Sequence, residues 1–230
     1  MFAPLFTLTL QSFVILSSAN LEPESTTVRV PSLRTIFAEH AVEDVQARRL
    51  HLSLAPTGNE VRYRVREQLV GVTLPNDAVG KTDKVSGMIV VEPDGRVVKE
   101  ESKFVVTLDS IRSDQSRRDN FIRMRTLQTA QFPTAEFVPS SATGLPATLP
   151  LAGDLTFKLT GDFTVHGVTR PTTWDVKGRM LANGEFSGSA TTWFRFGDFN
   201  MNVPRVAVVV SVVDSINVEM DLHLVPSADR

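Results

Sequence analysis

DLTFKLTGDFTVHGVTRPTTWDVKGRM, residues 154–180, is the stretch of this chain that decides its fold. Apolar and polar side chains alternate over residues 154–160 and again over residues 173–180. Because successive side chains of a β-strand point to opposite faces, each run predicts a strand with one dry and one wet face. The Gly161–Asp162 pair between the runs indicates a turn, and one-sided strands of this kind are typical of antiparallel sheets.

The same alternation returns along most of the chain beyond the N-terminal segment. Further alternating runs cover residues 61–69, 104–109, 186–196 and 216–222. Asn183–Gly184 lies just before one of these runs, and Asn-Gly between alternating runs strongly favours a hairpin. Many strands without strand–helix alternation predict an all-β sandwich or barrel, and a barrel of about eight strands encloses side chains or one ligand. The alternation by itself does not decide between the two.

The composition excludes several classes of function. The chain has 230 residues, of which 42% are hydrophobic, so a large core can form. It has no cysteine, which excludes disulfides, thiolate zinc sites and cysteine catalysis. A net charge of -2 does not favour a nucleic-acid partner, which requires a positive surface. The 14 phenylalanines, against 1 tyrosine and 2 tryptophans, favour a dry interior surface.

The N-terminal segment has features of an export signal. Residues Leu5–Leu16 are mostly apolar, and small residues follow at 17–19, as a signal peptidase requires. The apolar run is too short for a membrane span, and no basic residue precedes Arg29. We therefore predict a signal peptide over residues 1–20 and a periplasmic or secreted protein. The alternative is an apolar strand or helix of the mature protein.

Two helical segments interrupt the strand pattern. The first, Ser32–Arg49, lies within a lead-in that we place at residues 21–57, before a barrel over residues 58–226. Apolar residues at helical spacing predict the second as a short helix over about residues 114–127, which would cover one end of a barrel. Its cations form a solvated face or touch an anionic membrane surface; they are Arg117, Arg118, Arg123 and Arg125.

Several short motifs occur in an order that is specific in combination. They are FVVTLDSI at 104–111, RRD at 117–119, FPTAEF at 132–137, GDFTVHGVTRP at 161–171 and FGDF at 196–199. On these motifs the chain resembles the YceI-like family of polyisoprenoid-binding proteins, from about Gly58 to Val225. It departs from the family pattern at residues 59–65, where a Trp and a His-Ser pair usually occur, and in an insertion over residues 74–81.

The resemblance implies a fold and a function. The fold is an extended, lipocalin-like antiparallel barrel of eight strands. Such a barrel would hold an amphiphile with an isoprenoid tail, such as a polyprenyl phosphate or a quinone with a long side chain, and would need no cofactor besides this lipid. Members of the family are commonly exported in bacteria. The expected function is therefore binding, storage or transport of a long-chain isoprenoid lipid.

The dry faces of the strands predict the lining of a pocket. An isoprenoid tail that leaves water gains about 25 cal/mol per Å2 and needs no polar contact. The inward candidates are Tyr63, Phe104, Val106, Phe137, Leu155, Phe157, Phe163, Val165, Trp174, Phe194, Phe196, Val208, Val210 and Val212. A filled core gives the same pattern, and the resemblance favours a cavity.

Four polar residues are candidates for a head-group or rim position. Alternation places Glu67 on the inward face, where it meets a head group or pairs with an arginine. Arg118 suits a phosphate through its planar fork, and a tether between helix and barrel is the alternative. His166 and Arg170 flank a predicted Gly-Val-Thr turn, and they either line the rim or lie in solvent.

No local motif in the sequence indicates catalysis. It has no nucleophile elbow, Walker loop or dinucleotide fingerprint, and its 4 histidines do not occur at metal-ligand spacing. We therefore predict neither a catalytic nor a metal site. Two alternatives stay open. One is an enzyme that acts on a bound isoprenoid, with Glu67 as the first candidate for an acid or base, and the other is a filled-core barrel that binds another protein. The sequence carries no signature of an oligomer.

Overall fold

A computed structural model of the chain describes residues 49–227. These residues form one antiparallel sheet and a short helical segment. The strands are β1 (Leu50–Leu54), β2 (Glu60–Leu69), β3 (Asn76–Thr82), β4 (Val85–Val91), β5 (Lys103–Thr107), β6 (Arg112–Ser113), β7 (Thr134–Thr143), β8 (Gly153–Val165), β9 (Val168–Met180), β10 (Phe186–Phe194) and β11 (Val209–Pro226). Helix α1 (Ser116–Phe121) continues as a π-helix (Ile122–Thr126), and short 3-10 turns cover Lys99–Glu101, Leu108–Ser110 and Phe196–Phe199.

The sheet closes into a barrel. Its hydrogen-bonded order is β1-β4-β5-β7-β8-β9-β10-β11, and β11 pairs back with β1, where Leu224 lies opposite Leu54. β11 pairs first with β2 and then, further along its length, with β1. β3 pairs with β2 and is followed directly in the chain by β4, which pairs with β1. The two-residue strand β6 follows β5 in the chain and pairs with β3. The fold is therefore a closed eight-stranded antiparallel barrel with one short helix, which confirms the expected architecture. Closure pairs backbone groups that would otherwise be exposed at sheet edges.

Alternation on β8 and β9 has the predicted consequence. The buried side chains of these strands include Leu155, Leu159, Phe163, Val165, Trp174 and Val176. The outer face carries polar cross-strand pairs: Thr160 Oγ1 and Thr173 Oγ1 lie 2.9 Å apart, and Thr164 Oγ1 and Thr169 Oγ1 lie 2.8 Å apart. Each strand therefore has one dry and one wet face.

The turn between β8 and β9 lies later than the sequence predicts. β8 runs through Gly161 and Asp162, and the two-residue turn is His166–Gly167, with φ angles of 50° and 73°. Positive φ at both positions is characteristic of a type I′ hairpin turn. Gly161 serves the packing of the sheet instead: a Cβ there would lie 2.3 Å from the carbonyl oxygen of Val138, because the β7 backbone passes so close.

The barrel begins earlier than predicted. β1 already belongs to the sheet, so the first barrel strand starts at Leu50 rather than after the assigned lead-in. The loop between β1 and β2 is held by the side chain of Asn59. Its Nδ2 donates to the Ala55 carbonyl at 2.8 Å, and its Oδ1 accepts from His223 N at 2.7 Å. The predicted signal peptide, and all of the predicted N-terminal helix except Arg49, lie outside the described residues.

The helical segment, residues 116–126, covers one end of the barrel, which we call the helix end. The loop over residues 70–75, the β8–β9 turn and the segment over residues 195–208 also lie there, because β2, β5, β8 and β10 end on this side. Asp119 Oδ1 accepts from Ser113 N at 2.8 Å and from Ser113 Oγ at 2.6 Å, which attaches the helical segment to β6. Within residues 49–227, no helix has both the length and the apolar composition needed to cross a bilayer.

Candidate functional site

The barrel encloses a cavity of about 880 Å3. Side chains from all eight barrel strands line it, and most of them are apolar. Its volume lies in the range of small-molecule sites, which is roughly 300–1,000 Å3. The inward faces of the strands therefore surround a cavity, and the interpretation as a filled core does not apply.

All the apolar residues that the sequence places in the pocket line this cavity, except Val210. They are Tyr63, Phe104, Val106, Phe137, Leu155, Phe157, Phe163, Val165, Trp174, Phe194, Phe196, Val208 and Val212. Trp174 packs against two of the rings, with its centroid 5.6 Å from that of Phe137 and 5.9 Å from that of Phe163. Such aromatic groups present a large apolar area to a ligand.

Val210 is 65% exposed and does not line the cavity, so its predicted inward position is wrong. The physical reason is an irregularity in β11. Val209 pairs with Leu69, and Ser211 pairs with Gln68, so β11 has one residue more than β2 over this stretch. An extra residue reverses the face of the side chains that follow it, and Val209 lines the cavity instead.

The sequence analysis did not identify the part of the cavity wall that β1 and β4 form. β1 and β4 contribute Leu50, Leu52, Ile89 and Val91. β4 ends in the continuous apolar run Met88–Val91, which has no period-two alternation, and β1 lies in the segment that we assigned to the lead-in. A short apolar run of this kind, ended by Pro93–Gly95, was the available signal for a buried strand.

The cavity opens at the helix end. Its exposed lining residues all lie on this side; they are Val70, Val72, Asn76, Asp114, Gln115, Arg117 and Val208. At the opposite end, Val97, Leu145 and Leu149 line the cavity and are half-buried. A ligand would therefore enter between the loop over residues 70–75, the helical segment and the start of β11.

A buried ion pair lies at this mouth. Glu67 faces inward, and its Oε1 accepts from Arg118 Nη2 at 2.8 Å. The Glu67 side chain is 8% exposed and that of Arg118 is 16% exposed. Arg118 Nη1 also donates to the exposed Asp114, just before the helical segment. The pair therefore gives Glu67 a partner and ties the helical segment to β2.

The same contacts decide what Arg118 can bind. Burial works against the charged form of Arg118, but the carboxylates of Glu67 and Asp114 outweigh it and raise the pKa of the guanidinium above its ordinary value. Both terminal nitrogens are engaged by these two carboxylates. In this arrangement Arg118 acts as a tether between helix and barrel, the alternative to its role as a phosphate ligand.

His166 and Arg170 do not line the cavity. His166 is buried, with its Nδ1 3.2 Å from the Phe199 carbonyl oxygen and its ring centroid 4.7 Å from that of Phe132. Arg170 is exposed, and its Nε donates to the Asp198 carbonyl. The two side chains hold the 196–199 turn against the barrel, so neither lines the rim of the cavity, and the exposed Arg170 agrees with the alternative of a side chain in solvent. The rim prediction failed for His166 because this residue is part of the turn itself.

Few polar groups line the wall of the cavity. Among the described residues that line the cavity, the Tyr63 hydroxyl and Trp174 Nε1 are buried and have no hydrogen-bond partner. Burial, the largest effect on this group, raises the pKa of Tyr63 above its ordinary value. No cluster of three or more histidine or acidic side chains that could hold a metal ion occurs between residues 49 and 227.

Two solved structures of similar fold have low sequence identity to the chain. A polyisoprenoid binding domain from Saccharophagus degradans, implicated in plant cell wall breakdown, gives a TM-score of 0.59 at 15% identity, covering 77% of this chain and 99% of that one. BcnA of Burkholderia cenocepacia gives a TM-score of 0.55 at 16% identity, covering 76% and 99%. At such identities the likeness shows the fold alone.

Comparison of sequences leads to the family. A UPF0312 protein of Pseudomonas putida KT2440 is 34% identical over 113 residues, which make up 46% of this chain and 55% of the relative. The chain therefore spans about half the length of the curated relatives it matches. The family model described as a YceI-like domain matches residues 52–224, which is most of the chain. This chain belongs to the YceI-like family.

Proposed function

We propose that this protein binds a long apolar lipid with an isoprenoid tail inside its barrel. The observation that carries the proposal is the apolar cavity of about 880 Å3 with its mouth at the helix end. A tail that moves from water into such a cavity gains about 25 cal/mol per Å2 of buried apolar surface. The similarity in fold to a polyisoprenoid binding domain supports this class of ligand.

The tail and the head group would occupy different parts of the site. The tail lies among the aromatic and aliphatic side chains of the wall, and the head group stays at the mouth, where water reaches it. Because Arg118 is engaged by Glu67 and Asp114, the head group meets the exposed polar lining residues Asn76, Gln115 and Arg117. Exit of the lipid would require the helical segment or the loop over residues 70–75 to move aside.

Binding is better supported than catalysis on a bound isoprenoid. A general acid or base must lie within hydrogen-bond reach of the proton that it transfers. Glu67, the first candidate for a general acid or base, accepts a hydrogen bond from Arg118, with 2.8 Å between Glu67 Oε1 and Arg118 Nη2. His166, which is buried and close to the barrel end, has its side chain outside the cavity. Among the described residues, neither Glu67 nor His166 is therefore available as a free acid or base inside the cavity.

We also propose that the protein carries or stores its lipid outside the cytoplasm. The apolar residues Leu5–Leu16 and the small residues at 17–19 support export through a signal peptide. Fractionation of the producing bacterium should recover the protein, shortened at its N-terminus, from the periplasm or the medium. Recovery of full-length protein from the cytoplasm alone would remove this part of the proposal.

Organic extraction of the purified protein, followed by mass spectrometry, tests the binding proposal directly. We expect a long-chain prenyl lipid to be extracted with the protein. A protein that is repeatedly found without lipid, and that takes up none when prenyl lipids are offered in detergent micelles, would contradict it.

A matched pair of variants tests whether the lipid lies in the cavity. Ala190 is buried and lines the wall of β10, whereas its neighbour Thr191 is exposed on the outer face. Ala190→Phe should fill part of the cavity and lower the amount of bound lipid several-fold, because an inward ring takes the space of the tail. Thr191→Phe adds the same ring outside and should leave the amount unchanged. Equal lipid content in both variants would place the lipid elsewhere.

A further inference from the structure

Most of the exposed large apolar side chains of the described residues lie at the helix end. They are Val70, Val72, Leu74, Met124, Val208, Val210 and Val213, and Trp193, which is 63% exposed, lies close to the same end on β10. Leu74 is 73% exposed and Val210 is 65% exposed, whereas Leu151 and Leu181 at the opposite end are 42% and 37% exposed. Exposed apolar residues that are grouped in this way mark a binding surface more often than scattered ones do.

Five of these side chains form one strip, which we call the apolar rim: Val70, Val72, Leu74, Val208 and Val210. The two segments that carry the rim are joined, because Val70 N donates to the Val208 carbonyl at 3.0 Å. Val70, Val72 and Val208 also line the cavity. The apolar wall of the cavity therefore continues onto the outer surface at its mouth.

Two cations without an acidic partner accompany the rim. Arg117 is exposed and lines the mouth, and the exposed Arg205 lies between Pro204 and Val206, which also line it. Within the part of the chain that the structure describes, neither arginine makes an ion pair or a side-chain hydrogen bond. The carboxylates at the mouth, Glu67 and Asp114, are both engaged by Arg118. Among the described side chains that line the mouth, the charge without a counter-ion is therefore that of Arg117, which is positive.

We propose that the apolar rim docks on a lipid bilayer that contains anionic lipids, with the mouth of the cavity facing the membrane. The rim side chains would enter the region between head groups and acyl chains, and Arg117 and Arg205 would contact anionic head groups. A lipid could then pass from the bilayer to the cavity along a continuous apolar path, without exposing its tail to water. This inference rests on the proposed function, since it explains how the cavity is filled.

Flotation of the protein with vesicles tests the docking surface. The double variant Leu74→Asp/Val210→Asp adds charges to two rim residues that do not line the cavity. The control Leu151→Asp/Leu181→Asp makes the same kind of change at the opposite end of the barrel. With vesicles of phosphatidylcholine and phosphatidylglycerol, we expect the rim variant to lose about tenfold or more in apparent affinity. The control should bind like the wild type.

Each other outcome has a definite meaning. Equal vesicle binding by the rim variant and the control would overturn the proposal, because docking would not involve the rim. Absence of wild-type binding to these vesicles would also overturn it. If sedimentation velocity shows a wild-type dimer that the rim variant turns into a monomer, with no vesicle binding, the strip joins two copies of this chain and the proposal is wrong.

Loading from detergent micelles separates this proposal from the proposed function. Micelles deliver a prenyl lipid without a bilayer, so the rim variant should load to the wild-type level from micelles and more slowly from vesicles. Normal micelle loading by a protein that never binds vesicles would overturn docking and leave lipid binding intact. Vesicle binding that depends on the rim, by a protein that takes up no lipid, would keep docking and remove the proposed function.

Discussion

The substitution Arg118→Met would leave the Glu67 carboxylate buried without its partner. That side chain is 8% exposed, and its Oε1 lies 2.8 Å from Arg118 Nη2. Removal of one member of a buried ion pair costs about 3–5 kcal/mol, because the remaining charge has lost both water and its counter-ion. Since 16% of Arg118 is exposed at the mouth, we expect the lower limit, a loss of about 3 kcal/mol in the free energy of unfolding.

The second partner of Arg118 provides an internal control. Asp114 is 68% exposed, and exposed pairs four residues apart contribute only about 0.3–0.5 kcal/mol. Asp114→Asn should therefore change the free energy of unfolding by no more than about 0.5 kcal/mol. The double variant Glu67→Gln/Arg118→Met leaves no isolated charge, and we expect it to be more stable than Arg118→Met by about 1–2 kcal/mol.

Equilibrium unfolding in urea near neutral pH, followed by tryptophan fluorescence, measures these differences. Circular dichroism at the same urea concentrations checks that one transition is observed. The reasoning would be refuted if Arg118→Met unfolds within about 1 kcal/mol of the wild type, since a buried carboxylate cannot lose its partner at so small a cost. It would also be refuted if the separate effects of Glu67→Gln and Arg118→Met added up to the effect of the double variant, because contacting charges must be coupled.

Two further predictions concern the barrel wall and its outer surface. In Gly80→Ala the new Cβ would lie 2.2 Å from Tyr63 Cε1, so the ring must move, and we expect urea titration to show a loss of about 1–3 kcal/mol; an unchanged midpoint would contradict this. Hydrogen bonds from Arg62 hold the pKa of Asp221 below its ordinary value, so this carboxylate stabilises the fold above its unfolded-state pKa and loses that contribution as the pH falls through the folded-state value. Below about pH 4, thermal unfolding should therefore show a steeper loss of stability in the wild type than in Arg62→Met, and parallel profiles would count against the assignment.

Local alternation predicts the inward side chains wherever strand pairing is regular. On β8 and β9, each apolar residue assigned to the pocket lines the cavity, because the pairing of these strands has no interruption. The same rule places Glu67 inward on β2, where a charged residue would not be expected from hydrophobicity. The period of a strand is a property of a few consecutive residues, so one sequence is enough to read it.

Contacts between distant segments are not readable in this way. Arg118 lies 51 residues from Glu67, and no local pattern selects it from the other arginines of its segment. Gly161 resembles a turn residue, yet it is required where the β7 backbone approaches β8. The irregularity near Val210 depends on how β11 pairs with β2, and a single extra residue there reverses the predicted face. Each of these features depends on a contact between two segments that are distant in the sequence, rather than on the pattern of one segment.

The long strand β11 pairs with β10 on one side and with both β2 and β1 on the other. β11 is synthesised after every other strand of the barrel. Until then, the edges of β10 and β1 lack hydrogen-bond partners, and the apolar inner face of the sheet is exposed to water. Such intermediates attract chaperones and other copies of themselves. The barrel therefore cannot close before β11 is in place, and we expect a chain truncated before β11 to aggregate rather than form a smaller barrel.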